Sequence, residues 1–144
     1  MQQKKLKKKA RKTKGYAVVK SKRKCCVARA VVKKGKGRIT INKRPIETFS
    51  SQYVKMLVKE PAIIAPVANE YDFDITTKGG GSMAQAVASR SVIAKAIVEL
   101  TDDEKIKKAF LDYDRLLLVD DVRRVEPKKP LGPKARKKKQ KSKR

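Results

Sequence analysis

No histidine and no tryptophan occurs in the 144 residues, and aromatic side chains make up only 5% of them. Without imidazole the chain lacks the usual base near neutral pH and the commonest metal ligand, so enzymatic readings start at a disadvantage. Cysteine is confined to the neighbours Cys25 and Cys26. Adjacent cysteines have poor bridging geometry, and neither has a CxxC partner at zinc spacing. Both are expected as reduced packing residues, and neither a metal nor another cofactor is expected. No stretch approaches the ~20 apolar residues of a membrane span, and the Lys-rich start lacks a signal peptide's apolar segment. A cytoplasmic chain with no membrane partner is expected. Acids are scarce as well: 14 Asp and Glu stand against 40 Lys and Arg, a net charge of +26.

That excess is unevenly placed. Residues 1–24 hold twelve basic residues and no acid, and residues 127–144 hold ten and no acid, which leaves 18 basic and 14 acidic residues between them, an ordinary balance. About a hundred residues suffice for one hydrophobic core, and two domains would each be too small. The expected division is a basic extension over residues 1–21, a globular domain over 22–126 and a basic tail over 127–144. The tail's like charges repel and it has no apolar run to offset the entropy of ordering, so it stays extended until an anion neutralises it. Tyr16 is the only aromatic residue in either arm. The arms therefore bind phosphates rather than stack on bases.

Within the domain, CCVARAVV (residues 25–32) reads as a strand. GRITIN (37–42) alternates, with Ile39 and Ile41 on one face, and the basic, glycine-loosened segment Lys33, Lys34, Gly35, Lys36 between the two predicts a hairpin. Ser50 or Ser51 can cap a short helix with Tyr53, Val54, Leu57 and Val58 on its apolar face and its end at Pro61. YDFDIT (71–76) alternates strictly, turning Asp72 and Asp74 outward. After Gly79, Gly80 and Gly81, Ser82 can cap a helix over 83–100, where Ala86, Arg90, Ile93, Ile97 and Leu100 recur at helical spacing. Thr101 and Glu104 form a capping-box pattern for another helix through Phe110, with Ile106, Ala109 and Phe110 inward. Residues 116–119 are a strand candidate. Pro127, Pro130 and Pro133 end the domain near Glu126.

The glycine triplet with Lys78 allows close backbone approach and precedes a helix start, so a phosphate can dock there; a tight turn into the helix explains it equally well. The spacing is neither GxGxxG nor a Walker loop. Arg90 interrupts an apolar face, which fits either an ion pair to Asp72 or Asp74 or a phosphate contact. Arg23, Lys24, Arg29, Arg38, Lys43 and Arg44 lie along the first strands, continue a twelve-charge arm, and point to nucleic acid more than to solubility. Asp102, Asp103, Asp112, Asp114, Asp120 and Asp121 sit at helix starts and element ends, where caps and macrodipoles account for them better than magnesium.

Four stretches carry a resemblance: KRKCCVARA (22–30), GKGRITINKRP (35–45), KGGGSMAQAVASRSVIA (78–94) and residues 114–144, with VRRVEPKK and the closing Gln140-Lys141-Ser142-Lys143-Arg144. Jointly they resemble the universal small-subunit ribosomal protein family called S-nine in bacteria and S-sixteen in eukaryotes. The segment from Tyr113 to Leu117 looks like the archaeal and eukaryotic branch. The sequence departs from the family pattern at Lys43 and Ala84, where glycine is usual, at Val122 for proline and at Cys25 for threonine.

The resemblance implies an α+β domain with a four-stranded sheet packed on helices and a left-handed βαβ crossover, where pattern alone favours a right-handed connection. It further implies rRNA binding in the head of the small subunit, beside neighbouring head proteins, without catalysis and without a small-molecule substrate. Its expected rRNA contacts are Arg23, Lys24, Arg29, Arg38, Lys78, Gly79, Gly80, Arg90, Arg123, Arg124, Lys128, Lys129, Arg136, Lys137 and Lys141. The tail would run to the peptidyl site, where Ser142, Lys143 and Arg144 approach the bound tRNA. Eighteen extended residues reach up to roughly 60 Å, enough to cross a layer of RNA. Two alternatives remain: a small-molecule kinase, whose glycine-serine phosphate loop Gly79 to Ser82 faintly resembles, and a DNA-compacting protein, consistent with charge alone.

Overall fold

The computed structural model describes residues 16–137. The chain runs β1 (Tyr16–Arg23), β2 (Cys26–Lys34), β3 (Ile39–Ile41), β4 (Arg44–Pro45), α1 (Gln52–Ile64), β5 (Tyr71–Lys78), α2 (Ser82–Thr101) and α3 (Glu104–Tyr113), with short 3-10 turns at Ile46–Thr48, Pro66–Glu70 and Arg115–Leu117. The sheet is mixed and five-stranded, in the order β1-β2-β5-β3-β4; β3 and β5 are parallel and the other neighbours antiparallel. The expected four strands become five because β1 begins at Tyr16, inside the stretch assigned to the basic extension, and because two-residue β4 pairs with β3. Ala17, Val19 and Ser21 of β1 are buried and alternate with exposed Val18, Lys20 and Lys22, so the strand pattern was present beneath the lysines.

The hairpin expected between β2 and β3 does not form. Both edges of β2 are taken, by β1 and β5, and the segment after it crosses β5 instead. Gly35 allows that crossing: its backbone N–H donates to Glu70 O at 2.8 Å, and the Asp72 carboxyl carbon lies 2.1 Å from where a Cβ would stand. Asp72 Oδ1 accepts the N–H groups of Lys36 (2.8 Å) and Arg38 (2.9 Å), so this carboxylate organises the loop rather than facing only water.

All three helices lie on one face of the sheet. Cys26, Ala28, Ala30 and Val32 of β2 and Ala17 and Val19 of β1 meet α2, which offers Ala86, Ala88, Val92, Ile93, Ala96 and Ile97. Small residues on both sides let the helix sit close, while Phe73, Ile75, Phe110 and Leu117 fill the remaining volume. Helix α1 buries Val54, Leu57, Val58 and Pro61 at i, i+3, i+4 and i+7. It passes Pro61, its expected end, by one turn, because the proline itself belongs to the buried stripe and Ala65 N–H closes the end on Pro61 O at 3.0 Å.

Other local expectations shift by a residue or change type. Gly81, not Ser82, caps α2, and Asp103, not Thr101, caps α3 through its side chain. Thr101 ends α2 and its hydroxyl donates to Ile97 O at 2.8 Å. Residues 116–119 are not a strand: a 3-10 turn over Arg115–Leu117 leads into a turn and a bend, and Asp114 caps its start, its carboxylate accepting Leu116 N–H at 2.8 Å. Ala109 is exposed while Phe110 is buried. Cys26 is buried as expected, but Cys25 is exposed in the β1–β2 turn and packs nothing.

The turn between β3 and β4 places Asn42 and Lys43 at φ 51° and 65°, the paired left-handed geometry of a two-residue hairpin. Lys43 therefore carries a conformation that glycine adopts freely, at the position where the family resemblance expects glycine. Lys43→Gly should raise the stability of the domain by up to about 1 kcal/mol, read as a higher urea midpoint at unchanged slope.

Candidate nucleic-acid interface

With the helices on one side, the other face of the sheet is open. Its cross-strand rows follow from the register: Tyr16, Lys33 and Asp72; Val18, Val31 and Asp74; Lys20, Arg29 and Thr76; Lys22, Val27 and Lys78. Cations dominate the last two rows. Lys20 stands directly opposite Arg29, a like-charge pair that costs stability unless an anion lies over it. Lys20, Lys22, Arg29, Lys33 and Lys78 are all exposed and form no ion pair among the described residues. Asp72 and Asp74 lie at the opposite end, where Asp72 is occupied by loop N–H groups and Asp74 accepts from the Thr40 hydroxyl at 3.2 Å. The result is a face with one positive end.

That end adjoins the glycine triplet and the start of α2. Gly79 and Gly80 adopt φ of 76° and 68°, and a Cβ on Gly79 would lie 2.7 Å from the Cys25 carbonyl oxygen. Both glycines are therefore required by the turn itself, whatever else they touch. A Cβ on Gly80 would press on Cys26 and on Ala84 at 3.0 and 3.2 Å, so the Ala84 methyl fits because Gly80 has none. Gly81 has open space around it.

Arg90 is not part of the face. Its side chain is 11% exposed, pairs with Glu60 at 2.5 Å and Asp114 at 2.9 Å, and lies over the Tyr113 ring at 5.8 Å from the centroid. A guanidinium enclosed by two carboxylates and a ring is not free for phosphate, and the expected rRNA contact at Arg90 is corrected accordingly. The ion-pair alternative held, but with partners from α1 and the end of α3 rather than Asp72 or Asp74, which lie on the far side of the sheet.

The remaining expected contacts fall into two groups. Lys24 in the β1–β2 turn and Arg38 beside the Gly35 loop are exposed. Arg23, Arg123 and Arg124 gather around Asp121, while Lys128, Lys129, Arg136 and Lys137 lie beyond it. Residues 127–137 are not fully extended: Glu126 accepts from Arg136 at 2.9 Å and pairs with Lys129 at 3.3 Å, closing a loop on the last acid of the chain. Lys141, Ser142, Lys143 and Arg144 lie outside the described residues. Lys20, Lys22 and Lys33 were missed because their charge was counted with the arm or with a hairpin tip; the alternation around them was the available signal.

Residues 21–144 match the family model described as ribosomal protein S9/S16. The chain belongs to the ribosomal protein S9/S16 family. It is 48% identical over 123 residues to the small ribosomal subunit protein uS9 of Methanococcus maripaludis (strain C5), covering 82% of this chain and 92% of that relative. The protein of the same name from Methanococcus vannielii is 45% identical with the same coverage. Membership in this family sets aside the kinase alternative: the chain is a ribosomal protein, not an enzyme. No described helix is long and apolar enough to cross a membrane.

At the root of the S9/S16 tail, the side-chain and backbone N–H groups of Arg123, and Arg23 beside them, hold the Asp121 carboxyl far below the usual carboxylate range. Burial pushes Asp120 upward, but hydrogen bonds from Lys95 and Ser21 outweigh it and leave Asp120 lowered too. A carboxyl depressed in the folded state stabilises fully above its unfolded value of about 3.9 and loses that contribution as pH falls toward the folded value. The urea midpoint should thus hold steady from neutral pH to about 5 and fall below about 4. The gap between the native chain and Asp121→Asn should narrow over the same acid range, measured by unfolding at a series of pH values.

Proposed function

We propose that this chain is a structural constituent of the small ribosomal subunit in the cytoplasm. It binds rRNA in the subunit head and extends its C-terminal tail to the peptidyl-site tRNA. The observation that carries the reading is the positive end of the open sheet face, where Lys20 opposes Arg29 without an acid to balance them. A polyanion over this surface would relieve that repulsion, and its regularly spaced cations suit a phosphate backbone rather than base edges. The relatives, which are small ribosomal subunit proteins, support the location.

The contact set is Lys20, Lys22, Lys24, Arg29, Lys33, Arg38 and Lys78 on the domain, with Gly79 and Gly80 giving close approach. Arg23 at the end of β1 continues it toward the tail, followed there by Arg123, Arg124, Lys128, Lys129, Arg136, Lys137 and Lys141. Ser142, Lys143 and Arg144 form the tip that meets the tRNA and steadies the reading frame. Neighbouring head proteins complete the setting. The same family likeness implies a left-handed connection through α1 between the parallel strands β3 and β5.

Replacing Lys20, Arg29 and Lys78 together by Ala should lower the salt slope of rRNA-fragment binding by roughly 2–3, at about 0.7–0.9 per phosphate contact. A slope equal to that of the native chain would remove the sheet face from the interface. Deleting residues 142–144 should weaken tRNA binding at the peptidyl site of assembled subunits while leaving rRNA incorporation intact. Unchanged tRNA affinity and frame maintenance would count against the role of the tip.

A further inference from the structure

Where the domain gives way to the tail, the chain has no backbone pairing to any strand. Residues 120–129 are irregular, and side chains alone fix their start. Asp120 Oδ1 accepts the Ser21 hydroxyl at 2.7 Å and pairs with Lys95 Nζ, so one oxygen ties the segment to β1 and to α2. Ser21 is itself 1% exposed. The next carboxylate, Asp121, is 7% exposed and pairs with Arg23 of β1. It also accepts the Arg123 backbone N–H at 2.8 Å and the Arg123 guanidinium at 2.7 and 2.9 Å. Arg124 donates back to Asp121 O at 3.1 Å. Just before this, Ser91 of α2 donates to Leu116 O at 2.9 Å.

These contacts have a common consequence. Every group on the tail side belongs to residues 116–124, and every group on the domain side belongs to β1 or α2, two elements packed against each other. Asp120 and Asp121 stand at the edge of a sharp change in charge: of the residues from Val122 to the chain end, Glu126 alone is acidic. We propose that Asp121, with Asp120 behind it, is a positioning residue that fixes the point and direction from which the tail leaves the domain.

The physical case rests on tethering. A flexible chain searches a volume that grows with its free length, so freeing the residues between Leu118 and Glu126 would enlarge the space sampled by the tip and lower its effective concentration at a fixed target. Arg23 and Arg123 are turned toward Asp121, which also aligns the tail root with the β1 edge and the cationic end of the open face. Only the last step, delivery of the tip to tRNA, rests on the proposed function.

The test uses the full chain in two settings. Cys25 is exposed, so spin labels on Cys25 and on Ala135→Cys report the distance from the β1–β2 turn to the tail root. The native chain should give a narrow distribution, and Asp121→Asn should broaden it under conditions where both are folded by circular dichroism; Asp120→Asn should do so independently. A distribution as narrow as the native one in both variants overturns the proposal. In assembled small subunits, Asp121→Asn should weaken peptidyl-site tRNA binding by about 2- to 5-fold, with normal rRNA incorporation. The same substitution should have no further effect once residues 142–144 are deleted. Losses that multiply in the truncated background would show that Asp121 acts through something other than the tail, and would also overturn it. If truncation alone leaves tRNA binding unchanged, the tRNA reading fails, and the distance distribution decides the positioning role by itself.

Discussion

The close seat of α2 on β1 and β2 constrains the rest of the molecule. Alanine faces alanine across that contact, and side chains this small leave no room for water or for a long polar group. The helix must therefore be nearly all apolar or small over its buried arc, and the two polar residues it does bury there, Ser89 and Ser91, are compact. Ser91 settles its hydroxyl on carbonyl oxygens of its own helix and of the following turn. With α2 fixed, α1 and α3 fill the same side, and Lys20, Lys22, Arg29, Lys33 and Lys78 are driven to the opposite face.

This one-sidedness explains how a chain of such charge can fold at all. The domain does not neutralise its cations; it sorts them. Arg90 and Lys95, the two cations that α2 cannot place on the open face, are each consumed by carboxylates: Glu60 and Asp114 for the first, Asp120 for the second. The exposed cations of β1, β2 and β5 are left without partners, at the cost of repulsion between Lys20 and Arg29. A protein selected for stability alone would place an acid in that row. The acids instead sit where they organise backbone, at Asp72 under the Gly35 loop and at Asp103 and Asp114 as caps.

Periodicity in the sequence was enough to locate β2, β3, β5, α1, α2 and α3. It was not enough to pair the strands. Alternation in CVARAVVKK says which face is buried, not whether the neighbour is the next strand or one forty residues on, and the glycine in between suggested a hairpin when it was there to let Asp72 underneath. Strand β1 was hidden by composition: Lys20, Lys22 and Arg23, following a run of lysines, made YAVVKSKR look like arm. Arg29, Arg38 and Lys78 are exposed, and the charge pattern of the candidate face was legible. Arg90 was not, since its partners come from α1 and the α3 end, and no local pattern reports a contact across 24 or 30 positions.

The carboxylates nearest the tail form a graded series, and the gradient has a functional logic. Asp121 is nearly enclosed and holds two arginines, whereas Glu126 is half-open and holds Arg136 and Lys129 through side chains that are themselves 88% and 67% exposed. Exposed pairs of the second kind contribute little and are screened by salt. A phosphate, more charged and offering more acceptor oxygens than one carboxylate, competes with Glu126 for these two cations on favourable terms. It does not displace Asp121, whose loss would leave Arg23 partly buried without its partner. The root of the tail is thus held by the carboxylate that is costly to remove, and the loop beyond it by one that a competing anion replaces at little cost.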